Sequence, residues 1–126
     1  MKKVIVFSLL LIVSFSGCVG SPIHSHATYR SRKKTIRENN IALMKLTVGI
    51  TQKEVENVMG RPTRSEGYPW GSVWLYRTAM SSGIYYTVDS DLTPVMFDKN
   101  KILHGWGRSY FQQYVSKYEL TIKQQN

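Results

Sequence analysis

The sequence predicts an α+β domain in which two short N-terminal helices pack on a small antiparallel sheet of three or four strands, with a candidate helix at the C-terminus. Apolar residues recur at helical spacing before Pro62, aromatic and β-branched residues cluster after it, and a second helical pattern begins near Ser109. The length of 126 residues fits one such domain.

A short first helix is predicted up to residue 46, where the apolar residues recur at helical spacing, and it begins near Ile36 or, alternatively, is capped by Asn39 or Asn40. Ile41, Met44 and Leu46 are expected to share one side of it. Gly49 follows and ends the segment, because glycine favours the conformations that stop a helix.

The second helix is predicted over residues 52–59. Thr51 and Glu54 have the spacing of a capping box, in which the two side chains satisfy amide groups at the start of a helix. Gly60 is expected to end this helix in a left-handed conformation. The apolar residues expected to face the core are Val55, Val58 and Met59.

Strand-forming residues dominate after Pro62. The predicted strands are 73–78, 84–88, 94–97 and 102–106. Alternation places Trp74 and Tyr76 on one face of the sheet. Val73 and Leu75 then point to the other face. Since two short helices cover one face, the C-terminal helix or a partner protein must cover the second.

The C-terminal candidate helix, residues 109–118, carries aromatic and apolar side chains at helical spacing. These residues are Tyr110, Phe111, Tyr114, Val115 and Tyr118. The simpler interpretation is that the helix packs on the sheet of its own domain, and the alternative is that it docks on a partner.

The N-terminus has the pattern of an export signal. A basic start precedes an apolar run over residues 4–15, which is shorter than the roughly 20 residues that span a membrane. The small residues Ser16 and Gly17 and the single cysteine, Cys18, follow it. This stretch resembles the lipobox of bacterial lipoproteins. The resemblance implies that residues 1–17 are removed and Cys18 is acylated; the alternative is an ordinary secretory signal that contains a cysteine.

The segment 18–35 is polar, lacks an apolar period and is interpreted as a lipidated flexible tether ahead of the folded domain, residues 36–126. Four of its cations are candidates for contact with an anionic membrane surface, although a solvated charge run fits equally well. They are Arg30, Arg32, Lys33 and Lys34. Val19, where inner-membrane lipoproteins often have Asp, implies an outer-membrane anchor that faces the periplasm.

The sequence shows no pattern of catalytic or metal-ligating residues. One cysteine excludes an internal disulfide and a cysteine-based zinc cluster. His104 alternates with apolar residues on a predicted strand, which favours a structural histidine over a catalytic base. We therefore expect no enzyme, metal, cofactor or small-molecule substrate. The net charge of +9 suggests nucleic acid, but an exported protein has no access to it.

Aromatic side chains in the predicted loops, strands and C-terminal helix are candidate anchors for a protein partner, because Tyr and Trp are enriched at interfaces. The candidate residues are Tyr68, Trp70, Trp74, Tyr76, Tyr110 and Tyr114. The alternative for Tyr68 and Trp70 is that they pack back onto the edge of the sheet.

Short motifs occur in a fixed order between residues 39 and 107. They are Leu46-x-x-Gly49-Ile50-Thr51, Val55, Met59-Gly60-x-Pro62, Trp74-x-Tyr76-Arg77, and a hairpin with Phe97, Lys101, Ile102 and Gly105. Their order resembles the SmpA/OmlA (BamE-like) family of bacterial outer-membrane lipoproteins. It is also similar to a related uncharacterised lipoprotein family that ends in a comparable Gly-Trp-Gly.

The resemblance implies a small α-α-β-β-β lipoprotein. In the best-known members this is an accessory subunit of the machine that folds outer-membrane β-barrel proteins. We therefore expect a lipid-anchored, non-enzymatic protein that binds another envelope protein in barrel assembly or envelope integrity. The alternative is a tethered periplasmic inhibitor or ligand-binding module that acts on a wall-lytic enzyme or a wall fragment.

Overall fold

The computed structural model describes residues 23–81 and 87–125 and has the predicted α+β architecture. Its four strands form one antiparallel sheet in the order β1-β2-β3-β4. The elements in chain order are α1 (Ile23–Leu43), α2 (Gln52–Met59), β1 (Arg64–Tyr68), β2 (Gly71–Arg77), β3 (Leu92–Asp98), β4 (Leu103–Trp106) and α3 (Arg108–Gln124).

Helices cover both faces of the sheet. On one face, α1 and α2 bury side chains of β2, β3 and β4. The residues of this first core are Ala42, Leu46, Val55, Met59, Tyr76, Val95, Phe97 and Leu103. On the other face, Phe111, Tyr114, Val115 and Tyr118 of α3 pack against a second core. This second core consists of Trp70, Val73, Leu75, Leu92 and Met96. The C-terminal helix therefore packs on its own domain.

The capping box of α2 is confirmed. The backbone N–H of Glu54 donates to the Thr51 hydroxyl at 3.2 Å, and the Thr51 N–H donates to the Glu54 carboxylate at 2.7 Å. The hydrogen bond from the Thr51 N–H, and a second one that the Thr51 hydroxyl donates to the same carboxylate at 2.8 Å, lower the pKa of Glu54 from its usual value. Gly60 ends the helix with φ of 73°. The predicted burial of Val58 is wrong: its side chain is 40% exposed.

The prediction for α1 is wrong in two respects. The helix begins at Ile23, so the part of the predicted tether that follows residue 22 is helical. Ile41 and Met44 are exposed, whereas Ala42 and Leu46 between and after them are buried. The physical reason for the longer helix is that residues 23–48 contain neither glycine nor proline, so nothing in the polar segment interrupts it.

The sheet differs from the prediction in two strands. β1, Arg64–Tyr68, lies where we expected a loop, because its polar sequence forms a strand by pairing with β2. The predicted strand 84–88 falls largely outside the described residues, and the two described positions, Thr87 and Val88, are not in a strand. The sheet therefore gains an edge strand before β2.

The buried Asp91 holds the segment that follows β2. Its carboxylate accepts hydrogen bonds from the Ser81 N–H at 2.8 Å and the Ser81 hydroxyl at 2.5 Å. These bonds are the largest cause of its lowered pKa, and the charge of Arg77 acts in the same direction. Asp91 is therefore a structural carboxylate at the start of β3.

Candidate functional site

The N-terminus of α3 is fixed to the sheet by a glycine and an arginine. Gly107 precedes the helix at φ of 97°, and its N–H donates to the Pro94 carbonyl at 2.8 Å. The Arg108 guanidinium donates to the carbonyls of Leu92, at 3.0 Å, and Asp89. These contacts determine which side of α3 meets the sheet and which side remains open.

A groove of about 470 Å³ runs along one side of α3. We call it the tyrosine groove. Its lining residues are Tyr110, Gln113, Tyr114, Lys117, Tyr118 and Thr121. Tyr110 is 37% exposed, and Tyr114 and Tyr118 are half-buried. The groove therefore combines three phenol rings, one amide, one hydroxyl and one cation.

An aromatic cluster contacts Tyr114, one of the lining residues of the tyrosine groove. Trp70 stacks on Tyr68 with ring centroids 4.8 Å apart, and its edge meets Tyr114 at 4.9 Å. The His104 ring lies 4.7 Å from that of Tyr114. Phe111 meets Tyr68 at 5.9 Å. Because the Tyr114 ring packs against Trp70 and His104, its position in the groove is fixed by contacts with the sheet side of the domain.

Tyr110 fastens the start of α3 to β4. Its hydroxyl donates to the His104 carbonyl at 2.9 Å and lies 3.1 Å from His104 Nδ1. The phenol has one O–H, and its hydrogen bond goes to the carbonyl. The contact with His104 must therefore be donated by Nδ1–H to the phenol oxygen. Gly105 permits this contact, since a Cβ there would lie 2.1 Å from the Tyr110 ring.

The assigned tautomer leaves His104 Nε2 as a buried acceptor with no hydrogen-bond partner among the described residues. Burial lowers the pKa of His104 below its usual value, and the charge of Asp98 opposes the shift. His104 is therefore neutral at pH 7 and serves as a link between β4 and α3, which agrees with the structural role that the sequence favours.

The structure brings four of the six candidate interaction residues together and separates the other two. Tyr110 and Tyr114 line the tyrosine groove, and Tyr68 and Trp70 join them through ring contacts between Tyr68 and Trp70 and between Trp70 and Tyr114. Trp70 is buried in the second core, as in the alternative that it packs back onto the sheet, and its role in binding a partner stays a prediction.

Tyr76 and Trp74 lie on the opposite face of the sheet, beneath α1 and α2. Tyr76 is buried, and its hydroxyl donates to the Gly60 carbonyl at 2.9 Å, so its side chain links β2 to the end of α2. Trp74 is half-buried, with its ring edge against Phe97 at 4.9 Å.

The groove contains residues that the sequence did not single out. Gln113, Lys117 and Thr121 lie at spacings of four along α3, beside the tyrosines. The same helical spacing that identified the aromatic stripe predicts that these polar residues share an adjacent stripe. The sequence therefore contains the polar stripe, but it does not show that this stripe lies at the edge of a groove.

The candidate membrane-surface cations do not line the tyrosine groove. Cys18 lies outside the described residues. Arg30, Lys33 and Lys34 are exposed on α1, and Arg32 is half-buried. Residues 23–81 and 87–125 contain no group of three or more His, Cys, Asp or Glu that would hold a metal ion. In the same ranges, no helix combines the length and the apolar character required to cross a membrane.

A family model described as "Protein of unknown function (DUF3192)" matches residues 16–113, more than three quarters of the chain. The chain belongs to the DUF3192 family. The match includes Cys18, α1, α2 and all four strands, and it ends inside α3 at Gln113. Searches of curated proteins and of solved structures found no match to this DUF3192 member.

Proposed function

We propose that this protein is a lipid-anchored, non-enzymatic envelope protein that uses the tyrosine groove to bind another envelope protein. The observation that carries the proposal is that both faces of the sheet are covered by helices, yet α3 still presents three tyrosine rings beside Lys117 in an open groove. Tyrosine gives a large contact area at a low cost in conformational entropy, so such a groove suits protein recognition.

The composition of the groove specifies the chemistry of the partner. Lys117 is its cation, and no carboxylate occurs among its described lining residues. The partner segment should therefore offer a carboxylate to Lys117 and an apolar side chain to Tyr114 and Tyr118. At the rim, the Gln113 amide can donate or accept a hydrogen bond, and the Thr121 hydroxyl, which donates to the Lys117 carbonyl at 3.0 Å, can accept one.

The cellular setting of the proposal comes from the N-terminus. Ser16-Gly17-Cys18 follows an apolar run of signal-peptide length, which supports acylation of Cys18 and attachment to the outer membrane on its periplasmic side. The resemblance to SmpA/OmlA lipoproteins supports a partner in β-barrel assembly or envelope integrity.

Photo-crosslinking in intact cells tests the groove. A photoreactive residue at Gln113 should capture one partner, whereas the same residue at Gln112 is the matched control, because this exposed neighbour does not line the groove. Lys117→Glu should reduce the Gln113 adduct. Equal capture from both positions, or no adduct from Gln113, would contradict the proposal. A barrel-assembly subunit in the adduct supports the first role, and a wall hydrolase supports an inhibitor.

A second candidate function, binding of a wall fragment, is favoured by a polar cleft of about 430 Å³ at the end of β1 and β2. Gln52, Ser72 and Asp98 line it beside Trp74, a combination of polar groups and an aromatic ring that suits a glycan. Gln52→Ala should weaken co-sedimentation with purified cell wall, and the distant Gln124→Ala should not. Equal sedimentation of both variants and the unaltered protein would exclude this cleft.

A further inference from the structure

α1 and Met44, the residue directly after it, present to solvent a stripe of side chains whose character changes along the chain. At about 100° per residue, six exposed side chains fall within an arc of about 100°. They are Arg30, Lys33, Lys34, Arg37, Ile41 and Met44. We call this the α1 stripe. It is basic in its first part and apolar in its second.

The α1 stripe points away from the folded body. Asn39 and Ala42 lie on the other side of the helix. The Asn39 side chain donates to the Arg77 carbonyl at 2.8 Å, and Ala42 is buried in the first core. A flat surface can therefore meet the whole stripe without displacing the sheet or α2.

The charge on the stripe is of one sign. Within the described part of α1, its arc contains four cations and no carboxylate. Glu38 lies beside the arc, where it pairs with Lys34 at 3.7 Å in an exposed ion pair. Such a pair is weak, so Lys34 remains free to exchange Glu38 for a stronger anion such as a lipid phosphate.

The apolar end of the stripe is unusually exposed for side chains of this kind. Met44 is 79% exposed and Ile41 is 41% exposed. Val48, in the turn that follows, is 65% exposed. A single exposed apolar residue needs no explanation, but three that continue a basic stripe have the composition of a helix that lies in a membrane interface.

The position of Cys18 limits how far α1 is from a bilayer. Ile23 lies five residues after Cys18, and five extended residues span at most about 18 Å. α1 has 21 residues and is therefore about 32 Å long. If the helix stood upright, Met44 would be held in water far from the lipid; if it lies flat, the apolar end reaches the interface.

We propose that α1 lies flat on an anionic phospholipid surface, with the cations of the α1 stripe on lipid phosphates and Ile41, Met44 and Val48 inserted below the headgroups. This inference deepens the proposed function and rests on the acylation of Cys18. It gives the lipoprotein a fixed orientation, because α1 faces the bilayer while the tyrosine groove lies on the opposite side of the sheet.

A fluorescent probe on the stripe tests the orientation. Met44→Cys in the full acylated chain supplies a free thiol for a polarity-sensitive fluorophore, and Leu120→Cys on α3, 60% exposed, is the control. We expect blue-shifted emission and quenching by lipid-attached nitroxide at position 44 on phosphatidylglycerol-containing vesicles. Neither effect is expected at position 120. Emission typical of water at position 44 on these vesicles would overturn the proposal.

Charge variants test the electrostatic part in the same assay. Each cation removed from the α1 stripe should lower the docking equilibrium constant about fivefold, since a basic residue near such a surface contributes about 1 kcal/mol. The triple variant K33Q/K34Q/R37Q should therefore lose docking. The matched variant K99Q/K101Q/K123Q removes three exposed cations elsewhere and should retain it. Equal loss of docking in both variants would overturn the proposal that the α1 stripe is the specific lipid-binding surface.

Mass spectrometry of the same sample separates this inference from the proposed anchor. A free thiol at Cys18 would remove the anchor. Co-sedimentation of the unacylated protein with phosphatidylglycerol vesicles, compared between the two triple variants, would then test whether the α1 stripe binds lipid without the anchor. Preferential loss of sedimentation in the K33Q/K34Q/R37Q variant supports the stripe, and equal sedimentation overturns it.

Discussion

At the start of α2, Thr51 and Glu54 satisfy two backbone N–H groups that the helix itself leaves unpaired. Thr51→Ala should therefore lower the free energy of unfolding by about 1 kcal/mol. Thr47→Ala, in an exposed turn, is the control and should have little effect. The measurement is the urea midpoint of each variant at pH 7, and identical midpoints would contradict the role of the cap.

The same cap predicts that the stability of the folded protein depends on pH in the acidic range. Hydrogen bonds from Thr51 depress the pKa of Glu54 in the folded protein below its usual value of 4.5. The stabilisation is therefore present above pH 4.5 and is lost as the pH falls through the folded-state pKa. Glu54→Gln should flatten this part of the curve of urea midpoint against pH, whereas Glu119→Gln, an exposed control, should leave it unchanged.

His104 predicts a second pH effect, in a higher range. Its folded-state pKa is lowered from 6.5 by burial, so the unfolded chain takes up a proton first as the pH falls. Stability is therefore retained above pH 6.5 and decreases below it, until the folded-state pKa is reached. His104→Asn keeps an N–H donor for Tyr110 without titrating, so it should reduce the slope of urea midpoint against pH below 6.5. An unchanged slope would contradict the shift.

At the scale of elements, α2 was predictable and β1 was not. The capping box, the apolar spacing and Gly60 specify α2 within the chain itself, so local sequence was sufficient. β1 has no β-branched residue, and it becomes a strand because β2 offers unpaired backbone groups from Gly71 to Leu75. Pairing of this kind is a tertiary effect that propensity does not contain.

The choice of the buried side of α1 was likewise not predictable from the sequence. Apolar residues at 41, 42, 43, 44 and 46 allow more than one choice of buried side, and the spacing favoured Ile41 and Met44. In the structure, the Asn39 and Asn40 side chains donate to the carbonyls of Arg77 and Thr78, so the side of the helix that carries them faces the end of β2. Ala42 and Leu46 are the buried apolar residues in this orientation, which depends on contacts with the sheet that spacing along the chain does not contain.

The candidate site was predictable in part. The helical stripe of α3 and the apolar second face of the sheet predicted their contact, which the structure has. The link between His104 and Tyr110 was not predictable, because it depends on Gly105, which leaves room for the tyrosine ring on β4. The spacing of residues within one element does not predict how that element is positioned against another.

Gly105 therefore supports a prediction about the docking of α3. Gly105→Ala places a Cβ 2.1 Å from the Tyr110 ring, so α3 must shift, at a cost of about 1–3 kcal/mol. Gly67→Ala is the control, since nothing lies within 4 Å of its Cβ. Urea midpoints measure the effect. Adding Tyr110→Ala to Gly105→Ala should remove the steric part, and a simple sum of the two losses would contradict the clash.

At the scale of the whole molecule, the sheet is the middle of three layers. α1 and α2 complete one core, and α3 completes the other. The layers also separate the two proposed contacts, because the α1 stripe lies on the outside of the first layer and the tyrosine groove on the outside of the third. A lipid surface and a protein partner can then be bound at the same time without competition.

The three-layer arrangement predicts that the domain requires α3 for stability. A chain that stops after Gly107 exposes the five side chains of the second core, which are Trp70, Val73, Leu75, Leu92 and Met96. Each contributes about 1.5–3 kcal/mol when buried, and their sum is comparable with the total stability of about 5–15 kcal/mol for a domain. This chain should unfold and be degraded rapidly by added protease.

A shorter truncation provides the control. A chain that stops after Glu119 keeps Phe111, Tyr114, Val115 and Tyr118 on the sheet and removes the exposed Leu120 and Ile122. It should resist protease nearly as well as the full chain, because the lost side chains bury little surface. If the chain that ends at Gly107 were equally resistant, α3 would be dispensable for the fold, and its apolar side would have to be explained by a contact with another protein.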